Sequence, residues 1–446
     1  MSQKLVILGA GESGVGAAVL GKQKQYDVFV SDIGAIDPNY KRILIDEGIF
    51  FEEGVHTEKE IFNADVVVKS PGIPDSISLI KDLMEKGVQV VSEIEFASWF
   101  TNATLIGITG SNGKTTTTSL MHHILKCSGL NVGIAGNIGK SFAMQIAKCN
   151  YDFYVLELSS FQLDGIDKLK LDVSVLLNIT PDHLDRYNNS FEQYTNSKFQ
   201  IIRNSDKNSV FVYNGDDPTI VQKIKHLNLK VNSYSFTKEP IKNKGAGIEN
   251  ESICIDINNP MRISGDDISL KGKHNSYNIM ASAIVACLFD LSENAIVSAI
   301  KSFQPIEHRM ERVMKINGVE YINDSKATNV DSAFYALESI QNKVIWIAGG
   351  IDKGNDYTKL VPLVKSKVKG MVCLGKDNKK LHDTFKDLVE QIADASSANE
   401  AVEKASAMAK DGYTVLLSPA CASFDLFKNY QDRGEKFKQG IIKLNQ

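Results

Sequence analysis

The chain has 446 residues, a length that predicts two to four domains, and we expect three. Hydrophobic residues make up 43% of the chain, and 50 Lys and Arg against 54 Asp and Glu leave a net charge of −4. This balance excludes a strongly basic nucleic-acid-binding or anionic-membrane-binding protein. No apolar run reaches the ~18 residues of a membrane span, and the N-terminus shows no secretory signal. The six cysteines are scattered, which is typical of reduced thiols, so we expect a cytoplasmic protein.

The N-terminal stretch predicts a dinucleotide-type βαβ unit. A strand at Leu5–Leu8 leads into Gly9-Ala10-Gly11-Glu12-Ser13-Gly14, then a helix near Val15–Lys22 and a strand at Asp27–Val30. The glycines allow the backbone to approach a pyrophosphate, and Asp32 is placed to bond a ribose hydroxyl. The pattern does not distinguish NAD, FAD or another nucleotide diphosphate, and a glycine turn without a ligand is the alternative.

A second candidate loop follows the strand predicted at Ala64–Lys69. It reads Ser70-Pro71-Gly72-Ile73-Pro74, and it stands at the strand end where α/β sheets bind ligands. An ordinary turn is the alternative. A short helix at Glu93–Phe100 is expected to lead into the next domain.

The stretch Thr109–Thr116 predicts a phosphate-binding loop. It lies between a buried strand at Ala103–Ile108 and a helix at Thr117–Ser128. Backbone N–H groups and the helix N-terminus would face the phosphates, Lys114 would supply a positive charge, and a Thr hydroxyl would reach Mg²⁺. The usual spacing needs a glycine where Ile108 stands, so the loop is shorter than the common motif. The alternative is a Gly/Ser-rich turn with a solvated lysine, and the strand–loop–helix order favours phosphate binding.

Three later strands deliver polar residues to the same predicted sheet edge. They are expected at Val132–Ala135, Tyr151–Leu158 and Val173–Ile179, and they lead to Asn137, Glu157 and His183. Glu157 is placed to hold Mg²⁺, with a surface acid as the alternative. For His183, capping or structural use and metal use stay equally open, because Mg²⁺ prefers oxygen ligands.

Two predicted helices carry further candidates in this region. On Phe191–Arg203, Lys198 lies among apolar residues, and composition favours a snorkelling side chain. Asn275 and Asn278 open a helix predicted over Ile279–Asp290. Being three residues apart they share a helix face, where they would contact adenine or ribose or else cap the helix.

The C-terminal region predicts a third α/β unit. Arg309 near its start would bridge to a phosphate of the middle domain. Polar loops follow three of its strands and contain Lys326, Lys353 and Ser423, a cationic, hydroxyl-lined set suited to carboxylates. Each loop taken alone also fits a solvated turn. The predicted strands are Glu320–Ile322, Val344–Ala348, Gly370–Leu374 and Tyr413–Leu417, and the helices are Asn329–Ser339, Tyr357–Val364, Asn378–Lys386 and Asn399–Ala409.

Together these parts favour an ATP-driven ligase. Hydride transfer needs no phosphate loop, and a simple kinase needs no separate diphosphate-binding domain. A carboxylate becomes an acyl donor when the γ-phosphoryl group of ATP converts it to an acyl phosphate. A dinucleotide-dependent oxidoreductase and a non-catalytic nucleotide-binding module remain the alternatives from other classes.

Four motifs carry a resemblance to a known family. Thr109-Gly110-Ser111-Asn112-Gly113-Lys114-Thr115 resembles the short phosphate loop of the Mur ligases of peptidoglycan synthesis, and the resemblance to that family covers essentially the whole chain. The other three resemble its D-glutamate-adding member: Leu156-Glu157-Leu158-Ser159-Ser160-Phe161-Gln162-Leu163, Asp324-Ser325-Lys326-Ala327-Thr328-Asn329 and Ser418-Pro419-Ala420-Cys421-Ala422-Ser423.

The resemblance implies an α/β fold of three domains. These are a UDP-substrate-binding Rossmann-like domain (1–102), a central P-loop ATPase-like domain with a mostly parallel sheet (103–305) and an amino-acid-binding Rossmann-like domain (306–446). It implies D-glutamate addition to UDP-N-acetylmuramoyl-L-alanine, in precursor synthesis for cell-wall growth, cell shape and division. A sister Mur ligase or a folylpolyglutamate-type ligase is the nearest alternative. Expected partners are small-molecule substrates bound by a monomer, without nucleic acid.

The resemblance also implies roles for individual residues. Lys114, Asn137, His183 and Lys198 would be catalytic. Thr115, Glu157, His183 and Lys198 would hold two Mg²⁺ ions, Lys198 after reaction with CO₂ to a carbamate. ATP would contact Gly110, Ser111, Asn112, Gly113, Lys114, Thr115, Thr116, Asn275, Asn278, Arg309 and Asp324.

The substrate contacts follow from the same resemblance. The UDP-linked substrate would contact Glu12, Ser13, Asp32, Ser70, Pro71, Gly72 and Asn137, with Asn137 near the muramoyl-alanine end. D-Glutamate would contact Lys326, Thr328, Lys353, Ser423 and Phe424. Ile33-Gly34 replaces a Thr-Arg pair that occurs in the family, so the uridine contact there must differ. Tyr430 stands in place of a Phe.

Overall fold

The computed structural model describes residues 2–268, 270, 275–304 and 306–445. Three α/β sheets confirm the predicted three-domain architecture. By its contacts the chain forms two compact units, one of residues 1–179, 191–268 and 276–302, the other of residues 180–190, 269–275 and 303–446. The predicted boundaries at 102/103 and 305/306 stay predictions, and Pro305 lies outside the described residues, as does the Lys271–His274 stretch before the predicted helix. Among the residues described, no helix combines the length and apolar character needed to cross a membrane.

The first sheet, in the first unit, is parallel throughout. Its strands lie in the order β3-β2-β1-β4-β5. The strands are β1 Lys4–Leu8, β2 Asp27–Asp32, β3 Phe50–Glu53, β4 Val66–Lys69 and β5 Gln89–Val91. The helices are α1 Glu12–Gln23, α2 Pro38–Asp46, α3 Glu58–Ile61, α4 Ser78–Glu85 and α5 Glu93–Ser98. Because β1 and β4 lie at the centre, Leu5–Leu8 and Val66–Lys69 are buried, as expected for parallel strands covered on both faces.

The central sheet belongs to the same unit and has the order β14-β13-β12-β11-β10-β9-β6-β8-β7. It is parallel from β7 to β12, and β13 and β14 add an antiparallel edge. Its strands are β6 Thr104–Thr109, β7 Val132–Gly136, β8 Phe153–Glu157, β9 Val173–Leu176, β10 Val210–Asn214, β11 Asn232–Phe236, β12 Gly245–Glu249, β13 Ser252–Asp256 and β14 Met261–Ile263. Its helices are α6 Lys114–Cys127, α7 Phe142–Lys148, α8 Ser160–Asp164, α9 Phe191–Phe199, α10 Pro218–Lys225, α11 Asn275–Leu288 and α12 Glu293–Ser302.

The third sheet forms the core of the second unit, in the order β15-β16-β20-β17-β18-β19. Only β15 pairs antiparallel to its neighbour among the described strands of this sheet. Its strands are β15 Glu311–Ile316, β16 Val319–Asn323, β17 Val344–Ala348, β18 Val368–Leu374, β19 Gln391–Ala395 and β20 Thr414–Leu417. Its helices are α13 Val330–Ser339, α14 Val361–Lys367, α15 Lys379–Phe385, α16 Ala398–Met408 and α17 Tyr430–Leu444.

Some predicted boundaries were wrong. Helix α6 begins at Lys114 rather than Thr117, because Gly113 adopts a left-handed conformation (φ +86°) from which the helix starts at once. Strand β9 ends at Leu176 rather than Ile179. The helix predicted over Phe191–Arg203 is α-helical only to Phe199, after which a 3₁₀ turn covers Gln200–Ile202.

Candidate active site

The glycine loop after β1 lies beside the loop after β4, at the point where the strand order of the first sheet reverses. A Cβ added at Gly9, whose φ is +94°, would lie 2.9 Å from the Cβ of Ser70. At Gly14 it would lie 1.9 Å from the carbonyl oxygen of Gly9, so only glycine lets α1 pack this closely. This crevice is the position at which open α/β sheets bind nucleotides. The residues predicted to bind there, Glu12 and Ser13 after β1 and Ser70 after β4, therefore lie at the same edge of the first sheet.

Asp32 at the end of β2 holds the glycine loop. Its Oδ2 accepts a hydrogen bond from the N–H of Ala10 at 2.6 Å, and its Oδ1 accepts one from the N–H of Gly34 at 2.8 Å. The adjacent Ile33 side chain is 65% exposed. The carboxylate predicted to meet a ribose therefore organises the backbone of the loops that follow β1 and β2.

The phosphate loop joins β6 to α6 with two glycines at positive φ, Gly110 at +155° and Gly113 at +86°. The ammonium group of Lys114 donates to the carbonyl oxygens of Gly110 at 2.7 Å and Ser111 at 2.9 Å. Lys114 is thus held over the loop and is not a solvated surface lysine. This contradicts the solvated lysine of the alternative, and phosphate binding by the loop stays a prediction.

Asn178, which the sequence did not identify as a site residue, lies just after β9 and holds the phosphate loop by hydrogen bonds. Its Oδ1 accepts from the N–H of Asn112 at 2.8 Å, and its Nδ2 donates to the Asn112 carbonyl oxygen at 2.9 Å. The N–H of Ser111 donates to the Asn178 carbonyl oxygen at 2.9 Å. Because β9 and β6 are neighbours, the residue after β9 reaches the loop after β6. The only sequence signal was an Asn directly after an apolar run.

Glu157 and Asn137 lie at the ends of the neighbouring strands β8 and β7. The Asn137 Nδ2 donates to the Glu157 Oε1 at 2.9 Å, and the backbone N–H of Asn137 donates to the carbonyl oxygen of Glu157 at 2.8 Å. Glu157 is 1% exposed, so the surface-acid alternative is wrong. The two predicted residues form one pair at the edge that carries the phosphate loop.

Lys198 is buried in the same unit rather than snorkelling to solvent. It is 1% exposed, and its Nζ donates to the Oγ1 of Thr109 at 3.2 Å. It also lies 5.3 Å from the ring centroid of Tyr194, whose hydroxyl is 3.0 Å from the Oγ of Ser111. Tyr194 therefore links Lys198 to the phosphate loop.

The residues around this loop fit a nucleotide triphosphate and Mg²⁺. Thr115 and Thr116 lie in the first turn of α6, and both side chains are buried. The Thr116 Oγ1 has no hydrogen-bond partner among the described residues. Glu157 ends β8, the strand paired with β6 from which this loop leaves, and buried hydroxyl and carboxylate oxygens are donors of the type that Mg²⁺ prefers. Asn278 lies against the loop, because a Cβ at Gly113 would come within 2.5 Å of its Oδ1.

Asp324 is the central carboxylate of the second unit. It is 5% exposed, accepts from the Ser418 hydroxyl at 2.8 Å, and accepts from the N–H of Met310 at 3.2 Å. Burial raises the pKa of Asp324 to about 7, against the opposing effects of the Ser418 hydrogen bond and the Arg309 charge. A carboxyl with this pKa is protonated in part at neutral pH and is able to donate as well as accept.

The three polar loops of the second unit lie side by side. They follow β16, β17 and β20, and β20 lies between the other two strands. Arg433, which is 1% exposed, donates to the Ser325 hydroxyl at 3.0 Å, to the Cys421 carbonyl oxygen at 3.2 Å and to the Gly349 carbonyl oxygen at 3.4 Å. The structure thus gathers the predicted Lys326, Lys353 and Ser423 loops at one edge.

The residues predicted to bind D-glutamate differ in exposure. Ser423 is 2% exposed, whereas Phe424 is 69% exposed. The Lys326 Nζ lies 5.2 Å from the ring centroid of Tyr430, and the Thr328 N–H donates to the Lys326 carbonyl oxygen at 2.9 Å. These loops offer two hydroxyls and a lysine, groups that bind a carboxylate.

His183 belongs to the second unit, in the segment 180–190, and not to the strand end predicted for it. Strand β9 ends seven residues before it, at Leu176. Its Nδ1 lies 3.4 Å from the Lys353 Nζ, which is also 3.9 Å from the Asp182 Oδ1. His183 and Lys353, predicted for different ligands, therefore meet within this unit.

A cluster of Cys373, His382 and Asp394 offers ligand atoms within 4.8 Å of one another. The His382 Nε2 already lies 2.9 Å from the Asp394 Oδ1, and burial raises the pKa of the Cys373 thiol to about 12. A cavity of about 460 Å³ is lined by His382 and Asp394 of this cluster, together with Lys376, Lys379, Lys404 and Glu400. A protonated thiol is a poor metal ligand, so we assign no metal ion there.

Three α/β sheets, with a phosphate loop at the carboxyl edge of the central one, define a multidomain nucleotide-binding α/β protein. Family models match in chain order: the MurD N-terminal domain at residues 4–78, the Mur ligase middle domain at 108–286 and the Mur ligase glutamate ligase domain at 308–421.

Full-length relatives agree with these models. The chain is 51% identical to the UDP-N-acetylmuramoylalanine–D-glutamate ligase of Christiangramia forsetii, covering 100% of both chains. It is 49% identical to the same-named protein of Bacteroides fragilis, covering 99% of this chain and 100% of the relative. A solved UDP-N-acetylmuramate-alanine ligase from Thermotoga maritima shares the fold, at 16% identity and a TM-score of 0.64 over 99% of each chain. The chain belongs to the Mur ligase family.

Proposed function

We propose that this chain is an ATP-dependent ligase that joins D-glutamate to UDP-N-acetylmuramoyl-L-alanine and releases ADP and phosphate. The observation that carries the proposal is the 51% identity, over the full length, to a relative named for this reaction. The phosphate loop, with Lys114 and the buried Glu157 beside it, supports the use of ATP. The family and this loop argue against an oxidoreductase and against a module without turnover.

The chemistry requires activation of the substrate carboxylate. Its oxygen is a poor leaving group, so γ-phosphoryl transfer from ATP forms an acyl phosphate and ADP. The neutral amine of D-glutamate then attacks the acyl carbon, and phosphate departs as the amide bond forms. The protein accelerates both steps by positioning the reactants and stabilising the developing charge.

In the first unit we assign Lys114 to the γ-phosphate and the loop Gly110–Thr116 to the phosphates. Asn278 would hold the nucleotide, and Asn137 would orient the muramoyl-alanine carboxylate while it holds Glu157. Thr115 and Glu157 would bind Mg²⁺, which when bound neutralises charge on the phosphates. In the second unit we assign His183 to a second Mg²⁺.

We assign Lys198 to a carbamate formed with CO₂. A buried lysine next to Thr109 fits this assignment, because the carbamate would replace a buried cation with an anionic oxygen ligand. A carbamate on Lys198 does not require turnover, so ¹³C NMR of the resting protein is able to test this assignment.

For the UDP-linked substrate we assign Glu12, Ser13, Asp32, Ser70, Pro71 and Gly72, around the crevice of the first sheet. Asp32 would act through the loop backbone that it holds. Because Ile33 is exposed there and Gly34 has no side chain, we propose that the uracil ring meets an apolar surface instead of an arginine.

In the second unit we assign Lys326, Thr328, Lys353, Ser423 and Phe424 to D-glutamate, and Asn275, Arg309 and Asp324 to ATP. The protein would act as a monomer in the cytoplasm, where ATP and UDP-linked precursors are both present. Six free cysteines are consistent with that compartment.

A coupled assay of ADP release with a panel of amino acids tests the function. We expect release with UDP-N-acetylmuramoyl-L-alanine and D-glutamate, and none with L-glutamate, L-lysine or L-alanine. Release with one of those amino acids but not with D-glutamate would assign a sister ligase and refute the proposal.

A further inference from the structure

Two buried carboxylates on α5 connect the first sheet to the central one. Glu93 and Glu95 are 3% and 0% exposed, although α5 has only six residues. Glu95 accepts from the backbone N–H groups of residues 167–169 at 2.8–3.0 Å and from the Trp99 indole at 2.7 Å. Glu95 thus fixes a loop far from the phosphate loop, and its role is structural.

Glu93 faces the loop that carries Asn137. Its Oε1 accepts from the Ser141 hydroxyl at 2.6 Å and from the Ala143 N–H at 2.6 Å. Ser141 in turn caps α7, because its Oγ accepts from the Met144 N–H at 3.1 Å. Residues 137–141 are the connection between β7 and α7, so Glu93 holds the far end of the connection that begins at Asn137.

The same serine reaches the glycine loop of the first sheet. The Ser141 N–H donates to the Glu12 Oε1 at 3.2 Å, and the Glu12 Oε2 accepts from the Tyr40 hydroxyl at 2.8 Å. The approach is close, since a Cβ at Gly16 on α1 would lie 2.0 Å from the Ser141 Oγ. Ser141 is therefore bonded to one carboxylate through its hydroxyl and to another through its N–H.

We propose that Glu93 is a positioning residue for the UDP-linked substrate, acting through Ser141 to hold the Asn137–Ser141 loop against Glu12 and the N-terminus of α1. The inference rests on the proposed function, since these two loops would contact opposite parts of that substrate. Neither Glu93 nor Ser141 was singled out by any sequence motif.

Steady-state kinetics of Glu93→Ala test the proposal. We expect the KM for UDP-N-acetylmuramoyl-L-alanine to rise about 10-fold, the size expected for a lost buried hydrogen bond. The KM values for ATP and D-glutamate should change less than about 2-fold, because their proposed contacts do not depend on Ser141. Glu93→Gln retains the acceptor oxygen and should restore the first KM to within about 2-fold of the wild type.

Glu95→Ala is the matched control, because it removes a buried carboxylate from the same helix. We expect it to lower the melting temperature without a selective change in the KM for the UDP-linked substrate. If Glu93→Ala raises all three KM values alike, or only lowers the melting temperature as Glu95→Ala does, the proposal is overturned.

Hydrogen exchange separates this inference from the proposed function. If the wild type shows no turnover, the function fails, but the Ala143 and Ser141 amides should still exchange at least about 10-fold faster in Glu93→Ala than in the wild type. Unchanged exchange would overturn the positioning role. If Glu93→Ala does not fold, Ser141→Ala, which removes only the hydroxyl, is held to the same kinetic outcomes and to faster exchange of the Met144 amide, whose hydrogen bond that hydroxyl accepts.

Discussion

At the scale of single residues, the site depends on side chains held by the backbone around them. The ammonium group of Lys114 lies over its own loop, bonded to the Gly110 and Ser111 carbonyl oxygens. Lys198 is held by Thr109, and Glu157 by Asn137. Each group is buried or half-buried, so its charge acts at a place where water screens it weakly.

Lys114→Ala should reduce ADP release by about 10²–10³-fold, because it removes a charge aimed at the transferring phosphoryl group. The measurement is kcat/KM for ATP in the coupled assay. Lys126→Ala, in the exposed last turn of the same helix, is the control and should keep wild-type activity. Equal activity of the two variants would contradict the role of Lys114.

Lys198 should carry a carbamate when the protein is equilibrated with ¹³C-labelled bicarbonate. We expect one protein-bound carbamate signal in ¹³C NMR, absent from Lys198→Ala and still present in Lys170→Ala, whose side chain is exposed. A spectrum without this signal, or with the same signal in Lys198→Ala, would remove the carbamate from the mechanism.

At the scale of elements, close packing of helices and loops decides which residues meet. Helix α1 approaches the start of α7 at Gly16, and the loop after β6 is braced by the residue after the adjacent β9. Strand β20 lies between β16 and β17. The loop that follows β20 therefore lies between the loops that follow β16 and β17, although it comes later in the chain than both. These contacts join elements far apart in sequence.

Gly16→Ala should destabilise the protein by about 1–2 kcal/mol, since overpacking costs about 1–3 kcal/mol and Ala recovers up to about 1 kcal/mol of helix propensity. Urea denaturation followed by circular dichroism measures this free energy of unfolding. Gly11→Ala is the control, because a Cβ there meets nothing within 4 Å. A Gly16→Ala variant as stable as Gly11→Ala would show that α1 and α7 do not pack this closely.

At the scale of the whole molecule, each compact unit contains, among its described residues, one buried carboxyl whose pKa is raised to about 7. Glu93 in the first unit is raised from 4.5 chiefly by burial, and Asp324 in the second from 3.8, also chiefly by burial. In the unfolded chain both ionise at their ordinary values. Folding therefore takes up protons between those values and about pH 7.

Taken by themselves, Glu93 and Asp324 contribute a stability that falls as pH rises through the window from about 4 to 7. Each group contributes a slope of up to about 1.4 kcal/mol per pH unit, since the folded state binds the extra proton. Glu93→Gln and Asp324→Asn should each flatten the dependence of the free energy of unfolding on pH. A slope that neither substitution changes would contradict the raised pKa values. Lys126→Ala serves as the reference variant.

The sequence predicted those parts of the fold whose signal is local. Strand Val344–Ala348 has the predicted bounds, because all five of its residues are apolar and buried. By contrast, strands β11–β14 on one side of the central sheet and the edge strand β3 were not predicted, since a half-exposed strand such as Asn232–Phe236 has no apolar run to mark it. Lys198 was misread from composition, because a helix pattern does not show that its polar end is covered by another element.

By itself the sequence determined the phosphate loop, the glycine-rich crevice and the family, because each depends on residue types at fixed short spacing. Only the tertiary structure decided that Asn178 braces the phosphate loop, that His183 joins Lys353 in the second unit, and that Arg433 connects three loops. The physical reason is the range of the interactions. Turn and helix preferences act over a few residues, whereas these hydrogen bonds form only after strand order and packing have brought distant segments together.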